Sequence, residues 1–433
     1  MSYGGDELSG IVIDPGSSTV KAGNAGEDQP RLVFPSELGE RSQHSSSADK
    51  DDKQCNSTEH RKRELDCFTT KREGLEARSP FGANGLVDDF DAFESLLWYC
   101  LGEDSPRKLV LESNEHPIML TEPPHNPPKS RERMVERLFE KFNVPAVFLA
   151  KQPVLSSFAV GRTTSLVLDL GHSGTTATAV HDGYALQRSI QHSPIGGETL
   201  SKLILQDMEQ GRNICVRPHI AISKKQRTDG QFDVQDVDIS NVSPSFLLFK
   251  RMELAAQAKE EVCRCPKGTP YSEEEYAKMP TSSFELPDGT VVEYGGTGFK
   301  LPEVLFQPEL ASSFAGGWQE EYSLPQEGAT RMVLNAINSC DTDIRKDLFP
   351  GVILTGGSSL FPHMKERIEA EYLHAAPSTS KARVIAQQSS SERRFAPFIG
   401  GSILASLGTF QQFWMSKAEF DEQGANFIQR KAP

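Results

Sequence analysis

The sequence lacks long hydrophobic runs and a surplus of positive charge, and both shortages exclude functions. No apolar stretch approaches the ~18–20 residues that a bilayer-spanning helix needs, so no membrane span is expected. The opening residues, MSYGGDELSG, carry neither a basic n-region nor an apolar h-region, so no secretory signal is expected. Lysine and arginine total 46 against 60 acids, for a formal charge of −14. Binding along a phosphodiester backbone needs a basic face, so no direct sequence-specific nucleic-acid contact is expected. An acidic surface suits basic partners such as histones, although acidic balance is common in soluble proteins. The basic cluster HRKRE (60–64) is too short to read as a nuclear import signal.

Paired cysteines are also missing. The seven cysteines (Cys55, Cys67, Cys100, Cys215, Cys263, Cys265 and Cys340) are odd in number and scattered, with no C-x-x-C. Cys263 and Cys265 have no second pair, so a zinc site is unsupported. Reduced thiols fit cytosol or nucleus. Two nucleotide signatures are absent as well. There is no G-x-x-x-x-G-K-[ST], and no G-x-G-x-x-G follows a strand, so neither a P-loop nor a Rossmann site is supported.

What is present is a repeat. Residues 11–23 read IVIDPGSSTVKAG and residues 166–180 read LVLDLGHSGTTATAV. Each is an apolar strand, then Asp-x-Gly, then hydroxyl-rich and small residues. Asp14 and Asp169 stand about 155 positions apart, roughly one domain's length. At 433 residues the chain exceeds what one hydrophobic core supports. The spacing therefore predicts two related halves facing each other across a cleft.

The chemistry of the repeat suits a nucleotide's phosphates. Asp-x-Gly at a strand end predicts a tight hairpin. Gly16, Gly171 and their small neighbours let backbone N–H groups approach phosphate oxygens. Ser17, Ser18, Thr175 and Thr176 add hydroxyls, and Lys21 adds a point charge. Carboxylates repel phosphate, so Asp14 and Asp169 make sense holding a hydrated divalent cation through water. The bland alternative is a pair of ordinary hairpins with turn aspartates. A third segment, VILTGGSSLF (352–361), is a buried strand ending in Gly-Gly. Gly356 and Gly357 would let that loop lie against a nucleoside.

Along the chain, residues 40–66 turn Ser/Asp/Lys-rich, as a solvated insertion does. Helical spacing marks 88–102, a helix starting near Ser130, 245–262, 328–339 and 362–372. Residues 117–121 and 146–150 read as buried strands. Residues 223–244 form a second polar stretch, and strands are expected to return over 283–300. The order predicts an α/β fold with mixed sheets.

Six further segments carry a family resemblance: KAGNAGEDQPRLVFPS (21–36), LTEPPHNPPKSRERM (120–134), FNVPAVFLAKQPVLSSFAVGRTTSLVLDLG (142–171), FELPDGT (284–290), CDTDIRKDLF (340–349) and FIGGSILASLGTFQQFW (398–414). In that order they resemble actin and its relatives over nearly the whole chain. YGGDE (3–7), the segment 79–91 and ERRF (392–395) are similar to one branch, the nuclear actin-related protein 4 or actin-like 6 class.

The resemblance implies an actin-like ATPase fold: two lobes of mixed β-sheets with flanking helices around a nucleotide cleft. It implies residues 1–35, 80–159 and 396–433 as subdomain 1, and 36–79 as subdomain 2, a divergent tip. Residues 160–195 and 311–395 would be subdomain 3, and 196–310 subdomain 4. It implies ATP with Mg²⁺ or Ca²⁺. Asp14 and Asp169 match the carboxylates around the cation, and Ser17 and Lys21 match phosphate contacts. Gln152 matches the glutamine that orients the attacking water. Gly357 and Ser358 match the nucleoside loop, and Arg394 a basic residue beside adenine. Phe158, Gly161, Thr163, Ile403, Leu404, Leu407, Thr409 and Phe413 match an apolar cleft that receives partner helices. The alternative is that these eight are core.

The chain departs from actins in the second hairpin. Where they have Ser, Asp and His, it has Leu170, His172 and Thr176. Positioned polar groups orient the water in such hydrolysis, so ATP binding with little or no hydrolysis is expected. The resemblance thus implies a nuclear structural subunit of chromatin-remodelling and histone-acetyltransferase complexes. Its expected partners are actin, a helix of the scaffold subunit, and histones. A filament-forming cytoskeletal ATPase is the alternative, weakened by the polar tip and the inserts near 223–244 and 311–327. A sugar kinase or chaperone ATPase lacks the segments at 120–171 and 398–414.

Overall fold

The computed structural model describes residues 10–41, 73–102, 105, 109, 113–226, 232–268, 270–317 and 327–433. The first lobe opens with β1 (Ile11–Pro15), β2 (Thr19–Asn24) and β3 (Leu32–Pro35). A two-stranded ribbon follows, β4 (Leu38–Arg41) and β5 (Leu75–Arg78). Then come α1 (Phe90–Leu101), β6 (Ile118–Glu122), α2 (Pro128–Lys141), β7 (Ala146–Lys151) and α3 (Gln152–Ala159). Asp89 caps α1 by accepting from the amides of Asp91 and Ala92. Proline occupies the first turn of α2, where its missing N–H costs nothing. Met134, Val135, Leu138 and Phe139 then form the buried stripe of that helix.

The second lobe repeats the plan. β8 (Ser165–Leu170) and β9 (Thr175–His181) form its hairpin, followed by β10 (Tyr184–Ala185), β11 (Gln191–Ser193) and α4 (Gly197–Gln206). Ribbons β12 (Ile222–Gln226) with β13 (Phe232–Asp236) and β14 (Ser282–Glu285) with β15 (Val291–Tyr294) flank α5 (Pro244–Val262) in sequence. β16 (Val352–Thr355) and β17 (Val384–Ala386) complete the lobe's sheet, and β18 (Met415–Ser416) returns to the first lobe.

The two sheets share one topology. In the first, β6 lies parallel to β1 and β7 parallel to β6, with β2 and β3 antiparallel on the other side. In the second, β16 lies parallel to β8 and β17 parallel to β16, with β9 antiparallel on the other side. Central strands β1 and β6 are buried throughout, so they read as continuous apolar runs rather than alternating ones. Each hairpin's turn stands at the strand ends of its own sheet, which aims both turns into one cleft. Between the lobes, helix Ala396–Ser406 packs against α3. Gly400 permits it: a Cβ there would stand 1.8 Å from the Leu155 carbonyl oxygen.

The helices and buried strands fall where the pattern put them, and three stretches differ. The polar stretch 223–244 contains most of the β12–β13 ribbon, whose charged composition hides its strands. Residues 283–300 hold β14 and β15, but Gly295–Gly296 ends the strands and a helix runs from Thr297 to Glu303. Helix α2 starts at Pro128, two residues before Ser130. The insertion at 40–66 lies outside the described residues from 42 on, as do residues 318–326 of the stretch 311–327. Among the described residues no helix is long and apolar enough to cross a membrane. Cys100, Cys263, Cys265 and Cys340 are buried free thiols and Cys215 is exposed.

Candidate functional site

The two turns meet. Ser17 donates its hydroxyl hydrogen to Ser173 Oγ at 3.0 Å, and between the lobes opens a cleft of about 560 Å³. All eleven residues predicted to hold a cofactor line it: Asp14, Gly16, Ser17, Lys21, Gln152, Asp169, Gly171, Gly356, Gly357, Ser358 and Arg394. His172 and Thr176 line it too, while Leu170 is buried beneath.

Each hairpin builds its share by register. Asp14 sits opposite Lys21 across β1 and β2, with Lys21 Nζ 3.3 Å from Asp14 Oδ2. Thr121 and Gln152 both donate to Asp14 Oδ1, the latter at 3.2 Å. Asp169 sits opposite Thr176 across β8 and β9 and beside Thr355 of β16. No donor reaches its carboxylate among the described residues. Removal from water pushes Asp169 up to about 6; the charge of Asp14 adds to this and Lys21 opposes it. Gly356 has φ +90°, and a Cβ there would lie 2.3 Å from Asp169 Oδ1, so only glycine lets the loop after β16 reach this carboxylate. Around Gly357 there is open space.

The turns present free donors. The amides of Ser17, Ser18, His172 and Ser173 donate to no carbonyl among the described residues. Two such turns plus Lys21 form an anion-binding concavity. An unpartnered carboxylate beside it fits a cation's water shell. The described residues contain no cluster of three or more His, Cys, Asp or Glu that would hold a metal directly.

Several lining residues escaped the sequence reading. Lys259 and Glu260 come from the end of α5. Lys259 Nζ donates to the Gly197 carbonyl at 2.7 Å and to Ser201 Oγ at 2.9 Å, and burial lowers it to about 8. Glu260 stands 3.9 Å from Arg394. No local motif marks a helix C-terminus as part of a cleft. The rings of His125 and His192 lie 4.4 Å apart, tilted by 39°, and His125 Nε2 lies 3.2 Å from the Asn84 carbonyl. His192 lies opposite Thr176, on the strand paired to β9. Burial lowers His172 and His192 to about 4, so both are uncharged at neutral pH. The exchange of an acid for His172 therefore removes a charge without adding one.

The eight residues predicted to meet partner helices divide. Ile403, Leu407 and Phe413 are 41%, 43% and 43% exposed, large values for such side chains. Gly161, Thr163 and Thr409 are exposed, and Phe158 is half-buried. Leu404 is half-buried against the cluster containing Met119, Leu155 and Trp414, so its side chain serves the core as well.

Comparison with known proteins bears on this arrangement. The sequence model of the actin family matches residues 5–433. The chain is 41% identical to "Actin-related protein 4" of Oryza sativa subsp. indica over 449 residues, covering 100% of both chains. It is 41% identical to "Actin-related protein 4" of Arabidopsis thaliana over 447 residues, again 100% of both. The protein of that name in Emericella nidulans is 33% identical, over 99% of this chain and 97% of its own length.

Proposed function

This chain belongs to the actin family, and from that premise we propose that it is an ATP-binding structural subunit of nuclear chromatin-modifying assemblies. The observation that carries the nucleotide part is the meeting of the two hairpin turns at Ser17 and Ser173, with Asp14 and Asp169 behind them. That geometry suits a triphosphate held by turn amides and Lys21, with Mg²⁺ or Ca²⁺ reached from the aspartates through water. Lys259, Glu260 and Arg394 also line the cleft, with room beside them for a nucleoside. The protein binds this ligand as a structural element and turns it over slowly or not at all.

The assembly part rests on the similarity to proteins called Actin-related protein 4 and on the exposed Ile403, Leu407 and Phe413. These suit an amphipathic helix of a remodeller or acetyltransferase scaffold, with actin bound alongside it. Basic histone segments suit the acidic surface.

Nucleotide binding is tested by melting the purified, nucleotide-stripped chain with and without ATP and Mg²⁺. Ligand at about a thousand times its dissociation constant adds roughly 4 kcal/mol of stability. The shift should vanish in Asp14→Ala and Asp169→Ala. An unchanged melting temperature in the parent chain would refute nucleotide binding. The assembly is tested by affinity purification from nuclei: actin with a chromatin-complex scaffold is the expected set, and filament proteins alone would overturn it.

A further inference from the structure

Two imidazoles meet across the cleft, one from each lobe. His125 lies on the loop between β6 and α2 of the first lobe, and His192 on β11 of the second. Their ring centres are 4.4 Å apart, and both residues line the cleft. His125 Nε2 lies 3.2 Å from the Asn84 carbonyl. A carbonyl only accepts, so Nε2 carries the proton and Nδ1 keeps a bare lone pair. That Nδ1 is buried with no partner among the described residues, and so is Oδ1 of the adjoining Asn126. Neither ring nitrogen of His192 has a hydrogen-bond partner among the described residues. A Cβ on Gly174 would stand 3.0 Å from His192 Nε2, so glycine there leaves that nitrogen uncovered.

Buried acceptors without donors are costly, and imidazole is the side chain that most often ligates metal. Burial favours the neutral, ligating form of both rings. It lowers His125 against the pull of the Asn84 carbonyl, and it lowers His192 with the charge of His125 adding. The Asn84 carbonyl plays the part of an outer partner in a metal site, fixing tautomer and ring by accepting from the other nitrogen. Spacing narrows the choice of ion. With about 2.1 Å from ion to nitrogen and about 1.1 Å from nitrogen to ring centre, bonds at right angles set the ring centres about 4.5 Å apart, and tetrahedral bonds about 5.2 Å. The observed 4.4 Å suits the right angle, which Cu²⁺ and Ni²⁺ prefer on nitrogen and oxygen ligands. The carboxylate of the second hairpin is elsewhere. Asp169, Thr176 and His192 stand opposite one another on β8, β9 and β11, so Asp169 and His192 are two strand spacings apart, about 10 Å.

We propose that His125 and His192 form a two-imidazole site for a divalent ion of right-angled geometry, Cu²⁺ or Ni²⁺, that ties the two lobes together beside the hairpin turns. Water from the cleft fills the remaining positions on the ion. Two protein ligands hold it less tightly than a cluster of three or more, which the described residues lack. Both imidazoles are therefore needed. The site does not depend on the reading of the cleft as a nucleotide site.

The experiment titrates the full chain with Ni²⁺ by calorimetry, with Mg²⁺ in excess. Mg²⁺ occupies oxygen sites and leaves imidazole free. One Ni²⁺ per chain is the expected stoichiometry of the tightest binding. His125→Phe and His192→Phe each keep a ring in place and remove its nitrogens, so each should weaken that binding at least tenfold. His374→Ala, at an exposed histidine, should leave it unchanged. Unchanged Ni²⁺ affinity in either phenylalanine variant, or no Ni²⁺ binding by the parent chain, overturns the site. If a variant fails to fold, the parent chain with one equivalent of Cu²⁺ decides by electron paramagnetic resonance. Two equatorial imidazole nitrogens are expected, and one or none overturns the site. Each of these results leaves the nucleotide reading intact.

Discussion

Ser17 and Ser173, 156 residues apart in sequence, share a hydrogen bond. That contact sets the turns of two similar hairpins against each other. The repeat is not symmetric in charge. Asp14 is held by Lys21, Thr121 and Gln152. Asp169 has no donor among the described residues and is pushed up to about 6. One half supplies a carboxylate held by three donors, and the other a carboxylate that none reaches among the described residues.

Cation binding should consequently weaken as pH falls through about 6. Without metal, Asp169 prefers its neutral form below that value, and a cation must displace the proton before the carboxylate can orient its water. Titrating Mg²⁺ or Ca²⁺ by calorimetry between pH 5 and pH 8 should show affinity rising with pH and levelling above 7, with proton release on binding near pH 6. In Asp169→Asn affinity should be low and flat over the same range. Equal affinity at pH 5 and pH 7.5 in the parent chain would count against Asp169 as the cation's carboxylate.

The hairpins, the Gly356 loop and the lobe plan were legible because each rests on local rules. An apolar strand, Asp-x-Gly and hydroxyls specify a turn within a dozen residues. Lys259 was not legible, since nothing in the apolar periodicity of α5 says that its last turn meets a cleft. The His125–His192 ring contact was hidden for the same reason: the rings come from different lobes. The ribbon Ile222–Gln226 with Phe232–Asp236 failed to show because charged side chains dilute its alternation. Leu404 and Phe413 looked equivalent as apolar residues near a helix end. Only packing separates the half-buried first from the exposed second.

Bound ATP should persist. Leu170, His172 and Thr176 stand where actins have Ser, Asp and His, and His172 is uncharged at neutral pH. Orienting a water for in-line attack is what these polar groups would supply. Protein loaded with ATP and Mg²⁺ and freed of actin should retain ATP for hours by chromatography of the extracted nucleotide. His172→Asp with Thr176→His should speed conversion to ADP on the order of tenfold or more. His192→Ala tests whether the imidazole opposite Thr176 has taken over the task, and no change in rate is expected. Stoichiometric ADP within minutes in the parent chain would reverse the assignment.

Arg131 should be a stability determinant outside the cleft. Its Nε lies 2.8 Å from Glu122 Oε1, a wholly buried carboxylate, and its Nη atoms donate to Gln429 and to the Ala432 carbonyl. Burial raises Glu122, with Arg131, Asn126 and Lys151 pulling it back down. Arg131→Met leaves that charge without its main partner, a loss on the order of 3–5 kcal/mol. Without the arginine, Glu122 moves further up and prefers to be neutral, so the deficit should shrink as pH falls. Chemical denaturation of both proteins at pH 5.5 and pH 8 checks this, and a deficit independent of pH would show that packing, not charge, is what the arginine supplies.

The exposed apolar set should be where a scaffold helix docks. Ile403, Leu407 and Phe413 keep roughly two fifths of their surface in water, while neighbouring Phe410 and Trp414 are buried. A fold with no partner there would gain little from leaving three large side chains so open. Leu407→Asp and Ile403→Asp are the informative changes. In the free chain their charges face solvent and should alter melting by less than about 1 kcal/mol. Against a partner helix the same carboxylates would be desolvated and unpaired, a loss of several kcal/mol of binding, on the order of a hundredfold or more in affinity. Leu404→Asp is a poor probe, because it would place a charge against the buried cluster that includes Met119 and Trp414 and damage the fold itself. Nucleotide retention in the same sample shows that the lobes are intact. Co-purification of actin and the scaffold should then fall away for Leu407→Asp and Ile403→Asp and persist for a surface control such as Lys346→Asp. Full stoichiometry in both variants would mean that the partner grips another face.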